Sequence, residues 1–171
     1  MAFVIWLTGL PCSGKTTISK ELSHVIDNLA ILDGDELRKW LSQEDFSREG
    51  INKHNERVAH LAKLLIQHNV PICVALISPY VENRENARKI IHKNNFVEIF
   101  LKCSVEVCEK RDVKGMYKKA RNKEIENFIG ITGIYETPIN PDLIIDTENY
   151  TVKECVNKII QYLKNRTLIL K

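Results

Sequence analysis

The chain has no apolar run approaching the length of a membrane span, so a spanning helix is not expected. Its apolar start, Ala2 to Leu7, has no basic residues ahead of it and runs directly into a glycine-bearing loop. It reads as a strand and not as a signal peptide, and the expected compartment is the cytoplasm. There is no cluster of basic residues interleaved with aromatics, and the net charge is only +3. A nucleic acid polymer is therefore not the expected partner. The five cysteines form no Cys-x-x-Cys pair and are odd in number. Cys73, Cys103 and Cys155 lie in apolar stretches and read as buried, reduced thiols. The five histidines show no metal-ligand spacing, which argues against a metal held by protein side chains alone. Repeats, linkers and low-complexity tails are missing too. At 171 residues and 44% hydrophobic composition, one domain spanning 1–171 with a sizeable core is expected.

What is present is concentrated near the start. Gly9-Leu10-Pro11-Cys12-Ser13-Gly14-Lys15-Thr16-Thr17 follows the apolar stretch Phe3 to Leu7 and matches Gly, four residues, Gly, Lys, then Ser or Thr. A buried strand here delivers the chain to a tight loop whose N–H groups point at an anion. A helix then begins with its positive dipole end behind the same anion. Gly9 and Gly14 allow dihedrals and close approach that a Cβ would block. Lys15 has the reach for the β- and γ-phosphates, and the Thr16 hydroxyl suits Mg²⁺. The pattern specifies a nucleotide-phosphate site. Cys12 sits in this loop near a helix N-terminus, where a thiolate would be favoured, although an inert loop residue is the plainer reading.

Downstream, Thr17 to Ile26 reads as a helix and Leu29 to Leu32 as a short strand ending at Asp33-Gly34-Asp35. An Asp-Gly-Asp alone is a turn sequence, but beyond the carboxyl end of a strand in an open α/β sheet it lands beside the phosphates. Phe46 to Asn55 is polar and reads as irregular. Glu56 to Gln67 has helical periodicity, and Val70 to Ile77 is an apolar run fitting a central strand, closed by Ser78-Pro79. Glu82 to Asn94 reads as a helix, Val97 to Leu101 as the fourth strand, and Val105 to Arg111 as the start of another helix. Asp112 to Pro141 breaks the pattern, carrying Lys114, Lys118, Lys119, Arg121 and Lys123. It reads either as a solvated charged face or as a basic lid over phosphates. Leu143 to Ile145 is a fifth strand, and Val152 to Leu163 an amphipathic closing helix. Alternating strands and helices predict an α/β fold with a parallel sheet covered on both faces.

These stretches together resemble the adenylylsulfate kinase (APS kinase) family over roughly Phe3 to Leu163. The resemblance is carried by Gly9 to Thr17, Asp33-Gly34-Asp35 with Arg38, Phe46-Ser47, Ile77-Ser78-Pro79-Tyr80 with Arg84, and Glu106 to Glu109. It continues through Arg111 to Ala120, Phe128, Tyr135-Glu136 and Asn140-Pro141-Asp142. It implies a P-loop NTPase three-layer sandwich with five parallel strands and a lid at about 112–141. It further implies ATP–Mg²⁺ as donor, the 3′-hydroxyl of a small nucleotide as acceptor, and a homodimer. By the same resemblance Asp35 orients or deprotonates the acceptor hydroxyl and joins Thr16 at the metal, with Lys15, Asp33 and Ser78 at the transfer site. Gly9, Pro11, Cys12, Ser13, Gly14, Lys15, Thr16 and Thr17 hold the donor, and Arg111 lies against its adenine. Arg38, His54, Arg57, Ile77 and Lys114 join Asp35 and Ser78 around the acceptor, whose base stacks between Phe46 and Phe128. From the residues alone, Phe46 also fits ordinary core, and Arg84 and Lys114 also fit solvated charges.

Three departures fall on the acceptor side. Where the family reads Phe-Ser-x-x-Asp-Arg-x-x-Asn, this chain has Ile51 for the arginine and His54 for the asparagine. The usual Ile-Asp-Asp-Pro-Tyr-Glu is Ile131-Thr132-Gly133-Ile134-Tyr135-Glu136. Losing a charged donor to a bound anion costs about 1.5–3 kcal/mol. A changed acceptor is therefore expected, and resemblance to a branch of the family that acts in capsule phosphoramidate biosynthesis implies cytidine diphosphoramidate. The alternatives are adenylylsulfate itself, a sugar or sugar acid on the same core, and a non-catalytic P-loop nucleotide switch.

Overall fold

A computed structural model describes residues 2–41 and 45–169. Five parallel strands form one sheet: β1 (Val4–Thr8), β2 (Ala30–Asp33), β3 (Ile72–Ala75), β4 (Phe96–Lys102) and β5 (Leu143–Asp146), in the order β2-β3-β1-β4-β5. The helices are α1 (Lys15–Val25), α2 (Gly34–Trp40), α3 (Arg48–Gln67), α4 (Val81–Ile91), α5 (Val105–Lys110), α6 (Met116–Arg121) and α7 (Val152–Asn165).

Strand alternation sorts the core into two layers. From the β1 region, Phe3, Ile5 and Leu7 point to one face, where they pack with Ile18 and Leu22 of α1 and Cys155, Ile159 and Leu163 of α7. Val4 and Trp6 point to the other, against Val58, Ala59 and Ala62 of α3 and Ala87 and Ile91 of α4. Because β1 is central and covered on both sides, all five of its residues are buried. This is the expected three-layer α/β sandwich around a five-stranded parallel sheet.

The structure corrects the reading of 46–55 as irregular, since α3 runs 20 residues from Arg48. Ser47 caps it, its Oγ accepting from Gly50 N at 3.1 Å, while the Asp45 carboxylate accepts from Ser47 N at 2.8 Å. The polar residues that hid this helix lie on its first turns. The pattern break after Asp112 contains α6, nucleated by Asp112, whose carboxylate accepts from the amides of Met116 and Tyr117 at 2.9 and 2.8 Å. Cys73 and Cys155 are buried as expected, whereas Cys103 is only half-buried. No helix among the described residues is long and apolar enough to cross a membrane.

Candidate active site

The loop between β1 and α1 is built by steric exclusion. A Cβ on Gly9 would lie 2.7 Å from both Leu101 O and Ser13 Oγ, and Gly14 adopts the left-handed region at φ +99° just before α1. Cys12 is also left-handed, at φ +63°. Two props outside the loop hold it. Tyr117 Oη donates to Pro11 O at 2.9 Å, and Thr147 Oγ1 donates to Ser13 O at 2.9 Å. Neither prop is legible in the motif, because each lies more than a hundred residues away along the chain.

Lys15 is buried, and its Nζ donates to Gly9 O at 2.9 Å and Leu10 O at 2.6 Å. Burial pulls its pKa down to about 8, partly countered by nearby acidic groups including Asp35 and Asp33. The Cys12 thiol is pushed above its ordinary range by burial and Asp112, which outweigh Lys15 and Lys114. It is a thiol and not a thiolate, the inert reading. Thr17 is exposed on the first turn of α1.

The carboxyl end of β2 supplies the acids. Asp33 caps α2, its Oδ1 accepting from Asp35 N at 2.9 Å, and its Oδ2 accepts from Thr16 Oγ1 at 2.7 Å. Asp35 pairs with Lys114 at 2.5 Å. The expected juxtaposition of loop, paired acids and basic segment is therefore present. It is Asp33, however, that touches the Thr16 hydroxyl, while Asp35 faces the segment after α5.

Ser78 follows β3 in a left-handed conformation at φ +44°, which for serine is strained. Three contacts hold it there. Trp6 Nε1 donates to its Oγ at 3.0 Å, its Oγ donates to Asn55 Oδ1 at 2.6 Å, and Arg84 Nη1 donates to its carbonyl at 2.6 Å. Its hydroxyl is thus inside the protein with both roles engaged, and Asn55 is a partner that sequence reasoning missed. Ile77 beside it is half-buried, and its carbonyl accepts from Thr8 Oγ1 at 2.7 Å. Thr8 Oγ1 also lies 2.9 Å from Tyr135 Oη, a second missed contact tying β1 to the late segment.

Among the residues expected around the acceptor, Phe46 is 57% exposed, so it is not core, and the Arg38 guanidinium lies 4.6 Å from its ring centre. Phe128 is half-buried and meets Tyr117 edge-on at 4.9 Å. His54 is fully buried, and burial first, then the charges of Arg38 and Arg57, pull its pKa down to about 4. Arg111 is half-buried, donating to Thr147 O at 2.6 Å and to Cys103 Sγ at 3.6 Å, so it braces the loop after β5. Arg84 is buried with Glu98 and is no solvated charge. Lys114 is exposed, yet it is paired across to Asp35.

The glycine loop, buried lysine and paired acids on a parallel sheet of this order define a P-loop phosphotransferase with a hydroxyl acceptor. The chain belongs to the adenylylsulphate kinase family, whose sequence profile matches residues 1–146. It is 45% identical to the adenylyl-sulfate kinase of Staphylococcus epidermidis, covering 97% of this chain and 86% of that one. It is 42% identical to the adenylyl-sulfate kinase of Clostridium acetobutylicum over 97% of this chain and 85% of that one. Its fold superposes on the APS kinase of Mycobacterium tuberculosis, solved with AMPPNP and APS, with TM-score 0.87 and 35% identity, covering 95% and 98% of the two chains.

These relatives overturn the expectation of cytidine diphosphoramidate as acceptor, and with it the link to capsule biosynthesis. In the sequence the departures read as a loss of anion-binding charge. Ile51, however, is buried in α3, where its carbonyl accepts from Asn55 Nδ2 at 2.9 Å, and the positive charges of Arg38 and Arg57 both act on His54 one turn further along. Replacing the arginine by Ile51 does not strip the pocket of positive charge, so it is weak ground for a new acceptor.

Proposed function

We propose that this protein is an adenylylsulfate kinase, transferring the γ-phosphoryl group of ATP to the 3′-hydroxyl of adenylylsulfate. The observation that carries the reading is the Asp35–Lys114 pair beside the Thr16–Asp33 contact, which gathers acid, cation and phosphate loop at one corner. The names of relatives above 40% identity support the acceptor.

Lys15 and the loop amides from Gly9 to Thr17 grip the donor phosphates, which lie at the positive end of α1. To do so, Lys15 exchanges its bonds to Gly9 O and Leu10 O for phosphate oxygens. Asp35 takes the proton of the acceptor hydroxyl, and Lys114, released from the pair, neutralises charge on the transferring group. Arg38 and Arg57 bind the acceptor's anionic groups, and Phe46 and Phe128 stack on its base, a contact contributing about 1–3 kcal/mol. Arg111 lies against the donor adenine. Ser78 acts by holding the end of β3 in place through its bonds to Trp6, Asn55 and Arg84. The basic segment 112–141 closes over the phosphates as a lid and excludes water.

The Thr16 hydroxyl and Asp33 carboxylate are two hard oxygens at one point, a sparse set of the kind Mg²⁺ uses when most of its ligands are water and phosphate. Thr16 would hold the ion directly, with Asp33 and Asp35 orienting its waters. When bound, Mg²⁺ screens the phosphate charge that otherwise repels the incoming hydroxyl. Among the described residues no group of three or more His, Cys, Asp or Glu side chains is arranged to hold a metal, so the ion would arrive with the nucleotide. A cytoplasmic homodimer in a single domain completes the reading.

The test is incubation of purified protein with ATP–Mg²⁺ and adenylylsulfate, following ADP release and locating the new phosphate by ³¹P NMR. A 3′-phosphorylated product supports the reading, and no product at saturating substrate overturns it.

A further inference from the structure

The turn from β4 into α5 brings two thiols together. Ser104 caps α5, its Oγ accepting from Val107 N at 3.4 Å. A cap of this kind packs the residue before it against the fourth residue of the helix. Those positions hold Cys103 and Cys108, and the Cys108 thiol lies within hydrogen-bonding reach of Cys103. Both are free, and they are unlike, since Cys108 is fully buried and Cys103 only half-buried. Each sulfur also stands one step from a prop of the phosphate loop. Cys103 Sγ accepts from Arg111 Nη1 at 3.6 Å, Arg111 Nη2 donates to Thr147 O at 2.6 Å, and Thr147 Oγ1 donates to Ser13 O at 2.9 Å. The Cys108 thiol is hydrogen-bonded to the Tyr117 hydroxyl, which donates to Pro11 O at 2.9 Å. Two apolar side chains would pack this turn as well, but they would neither accept from Arg111 nor answer an oxidant.

We propose that Cys103 and Cys108 form a redox-active dithiol, which closes reversibly to a disulfide and thereby weakens donor binding. The oxidant is a low-molecular-weight disulfide. Cys103, the accessible thiol, loses its proton and attacks one sulfur of that molecule, whose S–S bond breaks to release one small thiol. Cys108 then gives up its proton and attacks the Cys103 sulfur, expelling the second small thiol. Two cysteine thiols are oxidised to one disulfide, and the small disulfide is reduced to two thiols. Burial, then the contact with Cys103, pushes the Cys108 pKa up to about 12, so it is poorly suited to attack first and serves as the resolving thiol. A bridge over so short a loop constrains the unfolded chain little, which leaves its state to the surrounding oxidant and reductant. Drawing the sulfurs from contact to a bond of about 2 Å pulls Cys103 from Arg111 and Cys108 from Tyr117. Both props of the phosphate loop are disturbed at once. The effect on the donor rests on the function proposed above, whereas the disulfide itself does not.

The test treats purified protein with glutathione disulfide, blocks remaining thiols with N-ethylmaleimide in denaturant, and maps unreduced tryptic peptides by mass spectrometry. Cys103 and Cys108 fall in one peptide ending at Lys110, which should be lighter by two hydrogens and carry no alkyl group. Cys12, Cys73 and Cys155 should all be alkylated, and dithiothreitol should restore both missing thiols. Calorimetric titration with ADP–Mg²⁺ should show a Kd raised roughly threefold or more in the oxidised protein and recovered on reduction. Cys103→Ser should bind ADP alike before and after treatment. A fully alkylated peptide, a stable glutathione adduct on Cys103 or a bridge to Cys12 overturns the proposal. So does a mapped bridge that leaves ADP affinity unchanged. Reduced protein that binds ADP but does not phosphorylate adenylylsulfate defeats the function reading and leaves the disulfide to be judged on the peptide map.

Discussion

Arg84→Met should be the most destabilising single charge removal in this chain outside the phosphate loop. Arg84 is 2% exposed and makes three bonds that tie distant segments together. It donates to Ser78 O at 2.6 Å, to Glu136 O at 2.6 Å, and through Nε to Glu98 Oε1 at 3.1 Å. Methionine fills much of the space but strands the Glu136 carbonyl and one carboxylate oxygen, and leaves the Ser78 carbonyl only a long bond from Thr8 Oγ1 at 3.4 Å. Breaking a buried ion pair from one side costs about 3–5 kcal/mol. The lower end applies here, because Arg88 Nη2 still donates to Glu98 Oε2 at 2.8 Å. For a chain of this size about 3 kcal/mol corresponds to a fall in melting temperature of about 6–12 °C. Burial outweighs both arginines and already holds the Glu98 pKa above its ordinary value, so without Arg84 the carboxylate takes up a proton more readily still. The loss should therefore be smaller at pH 5 than at pH 8. Calorimetry of wild type, Arg84→Met, Glu98→Gln and the double variant measures the coupling, and the double should lose less than the sum of the singles. Melting temperatures within 2 °C of wild type, roughly the shift of 1 kcal/mol, would refute the argument, since the stranded groups would then have found water at no cost.

Asp35→Asn should lower kcat at least 100-fold, the scale of a lost general base, while leaving ATP affinity within a few-fold by calorimetric titration. Unchanged turnover would refute Asp35 as the general base. Lys15 must be charged to grip phosphate, and its pKa of about 8 means the free protein loses that charge as pH rises further. ATP affinity should accordingly weaken by about tenfold per unit above pH 8 until the pKa of the complex is reached, measured by titration across pH 7–10. His54 has a folded pKa of about 4 against an ordinary 6.5, so the unfolded chain binds the extra proton in that window. Stability should fall as pH drops through it, by up to about 3 kcal/mol in urea unfolding, and His54→Phe should flatten the slope. Gly9→Ala should abolish nucleotide binding, because the new methyl meets the Leu101 backbone carbonyl at 2.7 Å.

The donor half of the site was legible because its chemistry is local. Gly9 to Thr17 encodes strand end, loop and helix start within one stretch, and Asp33 and Asp35 follow the next strand directly. Elements that depend on distant partners were not. The helix from Arg48 was hidden because Ser47, Arg48, Glu49 and Lys53 are polar, and only the Ser47 cap on Gly50 N shows where it begins. The sequence places Ser78 at the end of an apolar strand but does not show what holds it. Its bonds to Trp6, Asn55 and Arg84 join four segments that no sequence window contains. The acceptor was misread for a related reason. Replacing an arginine by Ile51 looks like a lost charge in one dimension, whereas in the fold the charges of Arg38, on α2, and Arg57, on α3, both act on His54 one turn further along.

The free protein keeps its reactive groups internally neutralised. Lys15 rests on the loop's own carbonyls, Thr16 on Asp33, and Lys114 on Asp35. Each contact must be exchanged for a substrate contact before transfer, and the exchanges differ in cost. The Lys114–Asp35 pair is exposed on both sides, with side chains 67% and 70% accessible, so it contributes at most about 1 kcal/mol and opens readily. Lys15 is buried, and removing it from two carbonyls without an anion to receive it would strand them. Donor phosphates are therefore needed to move Lys15, whereas thermal motion suffices to part Lys114 from Asp35. In the proposed mechanism, that difference makes Lys15 the element that recognises the nucleotide and the Asp35–Lys114 pair the element that admits the acceptor, and it keeps the proposed base covered by its own cation until a hydroxyl replaces it.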